Sequence, residues 1–390
     1  MTKVYKIHNQ FKHYEWGSSE IIPQFLNIRN KSGNLPYAEM WMGTHSGAPS
    51  YIDMPEKKHL SELAGELPFL FKLIAVKKQL SIQVHPNKKQ AEEGFKSENE
   101  EGLFFNAPTR NYKDENYKPE IICAITPFSL MAGFRDCGSI FKSFEELSVK
   151  LPQLKEIINP LLKTLEKKML AVFFRLLYNF SKMELDYISN IISNTEEKNC
   201  DHITPEQWRM MKNFSLLYPG DSAVLSPLYL NIIHLSPFQA VFVPSGTLHS
   251  YTSGFGVELM AASDNVLRGG LTPKYVNISK FVSIIDYNSC IPDVLTPDES
   301  PFFFYKTPCD EFSLAVMRGS GGKNNFPIRY PAICIVTEGE LHISGLQTDE
   351  LIFNKGQSFF ITGEECERTV SFSGNYSLFA AASRAAYAKA

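Results

Sequence analysis

Ser81, Gln83 and His85 stand two residues apart in the run Ser81-Ile82-Gln83-Val84-His85, which Pro86-Asn87 brings to an end. Alternation at period two predicts a strand, in which residues i, i+2 and i+4 share a face. A hydroxyl, an amide oxygen and an imidazole then project one way while Ile82 and Val84 point into packing. Such a row suits a metal ion with a polar ligand beside it. Taken alone, the five residues are better described as a half-buried strand with its wet side outward, so further ligands must come from elsewhere in the chain.

Two other residues qualify. Glu120 opens the apolar strand Ile121-Ile122-Cys123-Ala124-Ile125. Lys118 precedes a proline and is therefore extended, so Lys118 and Glu120 project to one side. A carboxylate at a strand mouth is a hard ligand; the plainer alternative is a surface salt bridge. His249 emerges from the turn Pro244-Ser245-Gly246 onto the next strand and is the better histidine candidate. His234 alternates among apolar residues and reads as structural. Glu39, in an otherwise apolar strand, wants a partner. Residues 263–274 gather Asp264, Asn265, Arg268 and Lys274 around a glycine pair. That composition fits a site for a charged small molecule or a solvated surface loop.

The elements that must position these residues fall into three blocks. Residues 1–137 and 218–290 read as short strands and turns, including an apolar run over 67–76 broken only by Lys72. Between them the apolar period changes from two to 3.6. Phe141, Phe144 and Leu147, then Leu161, Leu165, Met169 and Phe173, mark a helical insertion over 138–217. Thr204-Pro205-Glu206-Gln207 is a capping box with proline at the first helical position. Residues 291–390 are strand and turn throughout, with Gly339, Gly345, Gly356 and Gly374 as punctuation. The expected fold is mainly β with a helical insertion, built on cupin or jelly-roll β-barrel domains in a bicupin-like arrangement. The C-terminal barrel carries one histidine, His342, with no second histidine or carboxylate at ligand spacing, and reads as metal-free.

At 390 residues with 44% hydrophobic and 21% charged residues, the chain is an ordinary globular protein of two or three domains. Its net charge of −3 supplies no global basic field for nucleic acid or anionic lipid. The seven cysteines are scattered and include no CxxC pair, which fits a reducing cytoplasm rather than a disulfide framework. No apolar run reaches membrane-spanning or signal-peptide length.

With these pieces in hand, the chain resembles the type I phosphomannose isomerases, zinc-dependent mannose-6-phosphate isomerases. The resemblance lies in YAEMWMGTHSGAPS, LPFLFKLIAVKKQLSIQVHPNKKQAE, NYKDENYKPEI, VFVPSGTLHSY and VELMAASDNVLRGGLTPK. These stretches occur in the family's order between residues 37 and 274. The resemblance implies one Zn²⁺ per chain, held by Gln83, His85, Glu120 and His249. It implies an active-site arginine at Arg268, with Lys72, Lys118, Glu258, Asp264 and Lys274 around it. Ser81 and Lys274 are the expected phosphate contacts, and Trp16 and Tyr251 the further substrate contacts. The family usually reads HKPE where this chain has Tyr117-Lys118-Pro119-Glu120. Because Lys118 and every ligand position remain, activity is expected, and that histidine is not expected to be the base.

The implied reaction moves a proton between C1 and C2 of an open-chain sugar phosphate while negative charge develops on oxygen. A metal with an open position can polarise those oxygens, and a permanent guanidinium can stabilise the charge. The base stays open among Lys118, Lys72, Glu258 and a zinc-bound water. Competing readings are an Fe(II) cupin oxygenase, disfavoured by an amide ligand, and a non-catalytic sugar-phosphate-binding protein. A cytoplasmic monomer is expected, with a homo-oligomer as the alternative and no nucleic-acid or membrane partner.

Overall fold

The computed structural model describes residues 3–30, 33–53, 56–328, 331–344, 350–363 and 368–383. Gly345, named above, lies outside them, as does Cys366 among the seven cysteines. Every pairing between strands is antiparallel among the described residues, and the strands form two sheets of eleven. The architecture is mainly β, cupin-type, with one run of helices.

The strand His249–Ala261 organises the first sheet. Its later part lies between Phe69–Val76 and Glu120–Ala124, with Glu258 opposite Lys72 and Met260 opposite Glu120. Its first residues pair instead with Phe128–Phe134 and, at His249, with Ile82–Val84. The pairing shifts between Tyr251 and Ser253, next to Gly254 at φ +125°. A Cβ there would come within 2.6 Å of Phe128, so only glycine lets the strand turn the corner between the two sets of partners.

Phe69–Val76 is buried at all eight positions, which is why its sequence reads as a nearly unbroken apolar run. Register nevertheless separates its two faces. Phe71, Leu73 and Ala75 join Val257, Leu259, Ile121 and Cys123 in a core shared with Leu314, Ile333, Ile335 and Phe379 of the second sheet. Lys72 points the other way, opposite Trp41 on one neighbour and Glu258 on the other. Glu39 sits opposite Ile74 and so shares that second face.

The helical run comprises Cys137–Lys150, Lys155–Glu166, Leu170–Tyr178, Lys182–Asn194 and Pro205–Leu217. Thr204 caps the last of these in a reciprocal capping box with Gln207, and Trp208 and Met211 are buried. The helices share one core with Ile82, Val84 and Leu267. They therefore back the strand that carries Gln83 and leave its polar face free.

The second sheet runs Phe302–Tyr305, Ser313–Ser320, Asn375–Ala382, Ala332–Ser344, Ser358–Ile361 and then Val4–His8, Tyr51–Asp53 and Lys57–His59. Residues near the N-terminus thus complete a sheet built mainly from the C-terminal region, with Val4 opposite Ile361. His342, read from sequence as lacking a carboxylate partner, is flanked by Glu340 at 2.9 Å and Glu350 at 3.5 Å. The two carboxylates approach opposite ring nitrogens, an arrangement suited to ion pairing rather than to a shared cation. No helix among the described residues is long and apolar enough to cross a membrane.

Candidate active site

The row predicted at 81–85 forms a three-residue strand, Ile82–Val84, with Ile82 and Val84 in the helical core and Gln83 on the opposite side. Gln83 is the middle member of a ladder, with His249 directly across on one side and Arg268 across on the other. Residues 263–274, which could be read as loop, contain the short strand Leu267–Gly270 that makes this second pairing. Two long connections therefore deliver an imidazole and a guanidinium to the flanks of one amide.

Glu120 enters from the neighbouring sheet strand. One ligand atom each from His85, Glu120 and His249 lies within 4.8 Å of the other two, and all three residues are buried. The closest approaches are His85 Nε2 to Glu120 Oε1 at 3.4 Å and His249 Nε2 to Glu120 Oε2 at 3.3 Å. Gln83 Nε2 lies 3.0 Å from His249 Nε2, and a flip of the amide places its oxygen there instead.

The outer nitrogens fix the state of both rings. His85 Nδ1 donates to the carbonyl of Asn265 at 2.7 Å, and His249 Nδ1 donates to the carbonyl of Thr247 at 3.0 Å. Each Nε2 then carries a lone pair aimed at the common centre, the tautomer a metal ligand needs. His85 Nε2 and Glu120 Oε2 are buried with no hydrogen-bond partner. Lone pairs converging on one point without donors repel each other, and a divalent cation resolves the conflict. The donor set is nitrogen and oxygen without thiolate, which fits zinc in a catalytic setting.

Charge around the centre is finely divided. Burial and the nearby Lys118 push the His85 imidazole down to about 4. Burial would raise Glu120, but Lys118 Nζ at 3.0 Å and the two histidines hold its carboxyl well below the usual carboxylate range. Lys72 Nζ is 2.8 Å from Glu258 Oε2 and 4.0 Å from Glu39 Oε1. Burial alone would lower Lys72, but Glu258, Glu39 and Glu120 keep its ammonium above the ordinary lysine range. Glu258 moves up through burial, helped by the like charges of Glu120 and Glu39 and opposed by Lys72. Glu39 finds its partner in Trp41, whose Nε1 donates at 2.6 Å.

Farther out, Arg268 is half-buried, and no protein hydrogen bond or ion pair engages its guanidinium among the described residues. Lys274 is exposed, with its ammonium 5.7 Å from the centre of the Tyr14 ring. Partial burial, Arg268 and Lys113 all push Lys274 down, so the three cations lie near one another. Ser81 lies beside the ladder, partly exposed. Trp16 stacks on Tyr14 with 5.7 Å between ring centres and packs against the cluster that contains Tyr251. Tyr251 is buried two residues beyond His249, and burial with the charges of Glu258 and Glu120 keeps its phenol protonated. Asp264 receives His45 at 3.4 Å, which holds its carboxyl low.

A family model, "Phosphomannose isomerase type I, catalytic domain", matches residues 4–137. The curated mannose-6-phosphate isomerase of Escherichia coli K12 is 32% identical over 95% of this chain and 97% of its own length. The chain belongs to the type I phosphomannose isomerase family. The likeness extends to eukaryotes: mannose-6-phosphate isomerase 2 of Arabidopsis thaliana is 30% identical over 90% of the chain and 87% of its own length. Among solved structures, a variant of the Salmonella typhimurium phosphomannose isomerase superposes with a TM-score of 0.87 at 31% identity, covering 98% of this chain and 99% of that one. The Salmonella enzyme bound to its substrate and to zinc superposes with a TM-score of 0.85 at 31% identity, covering 97% and 99%.

Within this type I phosphomannose isomerase chain, sequence reasoning missed Tyr14, His45, Lys113 and Asp114 near the site, and the anchoring role of Asn265. Asn265 is fully buried, takes the Lys113 main-chain N–H at 2.6 Å, and donates to the carbonyls of Asp114 at 2.8 Å and Asn116 at 2.9 Å. A short polar residue in a Gly-containing loop gave no sign of this. Tyr117 turns away from the centre, and its hydroxyl bonds Glu311, just before the strand Ser313–Ser320.

Proposed function

We propose that this protein is an aldose–ketose isomerase interconverting mannose 6-phosphate and fructose 6-phosphate. The observation that carries the reading is the buried convergence of His85, Glu120 and His249 in a chain that matches mannose-6-phosphate isomerases over nearly its whole length. The oxygenase and pure-binding alternatives have no comparable support. Buried charges of both signs beside this centre fit a reaction in which a proton and a charge must move.

Gln83, His85, Glu120 and His249 would hold the zinc. When bound, zinc supplies Lewis acidity that polarises the sugar oxygens at C1 and C2. Arg268, one ladder step from Gln83, offers a charge that never titrates to the oxygen on which enediolate charge develops. Lys274 and the Ser81 hydroxyl meet the phosphate, so binding energy at the far end positions the reacting carbons. Trp16 and Tyr251 are the proposed contacts to the sugar between these ends, and Tyr251 stays a neutral donor. Lys118 keeps Glu120 ionised as a ligand, and Asp264 is engaged with His45.

The proton that moves between C1 and C2 needs a group able to take it and return it. We assign this to Glu258, whose carboxyl burial raises, with the Lys72 ammonium at 2.8 Å steadying its charged form. Lys118 is committed to Glu120.

Residues 1–137 with 218–290 form the catalytic unit in this proposal, 138–217 the helical insertion, and 291–390 a second cupin-type unit without metal. A monomer working in the cytoplasm is the proposed setting, in keeping with scattered cysteines that include no CxxC pair. A coupled assay tests the reading: zinc-loaded protein should turn mannose 6-phosphate into fructose 6-phosphate. Zinc-replete protein without turnover would contradict it.

A further inference from the structure

Tyr14 lies between two groups of charges that the isomerase reading keeps apart. On one side is the group of cations, where Lys274 Nζ sits 5.7 Å from the Tyr14 ring centre. That distance is within the range of cation–π attraction. On the other side is the acid–base cluster. The phenol is sensitive to Glu39 and Lys72 and also to Asp264 and Arg268, which places it at the meeting point of both groups.

The ring is held in place but its hydroxyl is not. Trp16 stacks on Tyr14 at 5.7 Å, and the Tyr14 carbonyl accepts the Gly17 N–H at 2.9 Å, closing a tight turn. The Trp16 carbonyl in turn accepts the N–H groups of Lys77 and Lys78, so the turn is anchored to the end of the strand Phe69–Val76 that carries Lys72. Yet the side chain is 38% exposed, and no protein group bonds its hydroxyl among the described residues. A phenol anchored by its ring and left without a protein partner at the oxygen is prepared to serve a ligand.

We propose that Tyr14 is a substrate-positioning residue of two parts: its ring seats the Lys274 ammonium against the phosphate, and its hydroxyl bonds a hydroxyl of the sugar chain. The inference rests on the isomerase reading and adds to it a residue that spans the two ends of the substrate. Burial and Glu39 together hold the phenol protonated, so it acts as a donor at neutral pH. A six-carbon sugar phosphate has free hydroxyls between its reacting end and its phosphate, and a donor in that interval selects an extended chain.

Two substitutions separate the parts. Tyr14→Phe keeps the ring and should leave KM for mannose 6-phosphate within about twofold while kcat falls about fivefold, the value of one neutral hydrogen bond. Tyr14→Leu removes the ring as well and should raise KM about tenfold, with bound zinc unchanged. In a Lys274→Met background the Tyr14→Leu effect on KM should largely vanish, because the ring acts through that ammonium. An unchanged kcat in Tyr14→Phe overturns the hydroxyl role even if Tyr14→Leu does not fold. A KM increase of the same size with and without Lys274 overturns the ring role. Wild-type protein that binds zinc but turns over no sugar phosphate would instead count against the isomerase reading itself.

Discussion

Arg268 stands directly across the backbone ladder from Gln83. The same amide has His249 as its other neighbour, so the position of the guanidinium relative to the metal centre is set by strand register and not by loop conformation. Truncating Arg268 should therefore leave the ligands in place. Arg268→Ala is expected to retain zinc and to lose about a hundredfold in kcat, the scale of one preorganised charge. Arg268→Lys should recover little of it, since an ammonium cannot reproduce the planar fork. Steady-state kinetics with metal analysis on both variants would check this; a change confined to KM would recast Arg268 as a phosphate contact.

The carbonyl that orients His85 belongs to Asn265, and the side chain of Asn265 ties down the segment leading to Lys118 and Glu120. One residue thus supports two ligands without touching the metal. Asn265→Ala keeps that main-chain carbonyl but releases the segment that positions it, and should weaken zinc binding about 10-fold. Competition with a chelator of known affinity measures it. Unchanged affinity would mean that the loop is held by its remaining bonds alone.

Acid should destabilise the metal-free protein in a defined window. The His85 imidazole is pushed down to about 4 by burial and Lys118, whereas in the unfolded chain it titrates near its ordinary 6.5. Between those values the unfolded state binds the extra proton, so stability rises with pH. The contribution is fully present above 6.5 and is lost as pH falls toward 4, amounting to about 3 kcal/mol. Glu120, held low, adds a loss in the same direction below the ordinary carboxylate range. Denaturant titrations of chelated protein at pH 7 and pH 5 should show the lower midpoint at pH 5, and His85→Ala should flatten the difference.

Tyr117 occupies the place where the family usually has histidine, but its hydroxyl engages Glu311. Tyr117→Phe should leave turnover within about twofold and cost about 1 kcal/mol of stability, the worth of one hydrogen bond. A large fall in kcat with intact zinc would return this position to the catalytic chemistry.

Much of this site could be read along the chain wherever a residue's role depends on its own strand. Alternation over 81–85 separates Gln83 from Ile82 and Val84, and the proline turn before His249 marks its emergence onto a strand. The carboxylate of Glu39 signals a missing partner, which Trp41 and Lys72 supply. Roles created by the meeting of distant segments leave no local pattern. Asn265 matters because residues 111–117 cross it, and Tyr14 because Lys274 reaches over it. Val4–His8 looks like any short strand, yet it pairs with Ser358–Ile361 from the far end of the chain. The ligand set, Arg268 and the phosphate contacts came through resemblance to a family, since spacing alone left Ser81-Ile82-Gln83-Val84-His85 better described as a half-buried strand.

The most direct test of the metal centre is zinc stoichiometry and turnover measured together on wild type and Glu120→Ala. The wild type should hold one zinc per chain, lose mannose-6-phosphate turnover on chelation and regain it with added zinc. Glu120→Ala should hold none after dialysis and stay inactive. Full zinc occupancy and full turnover in Glu120→Ala would contradict the account at its centre.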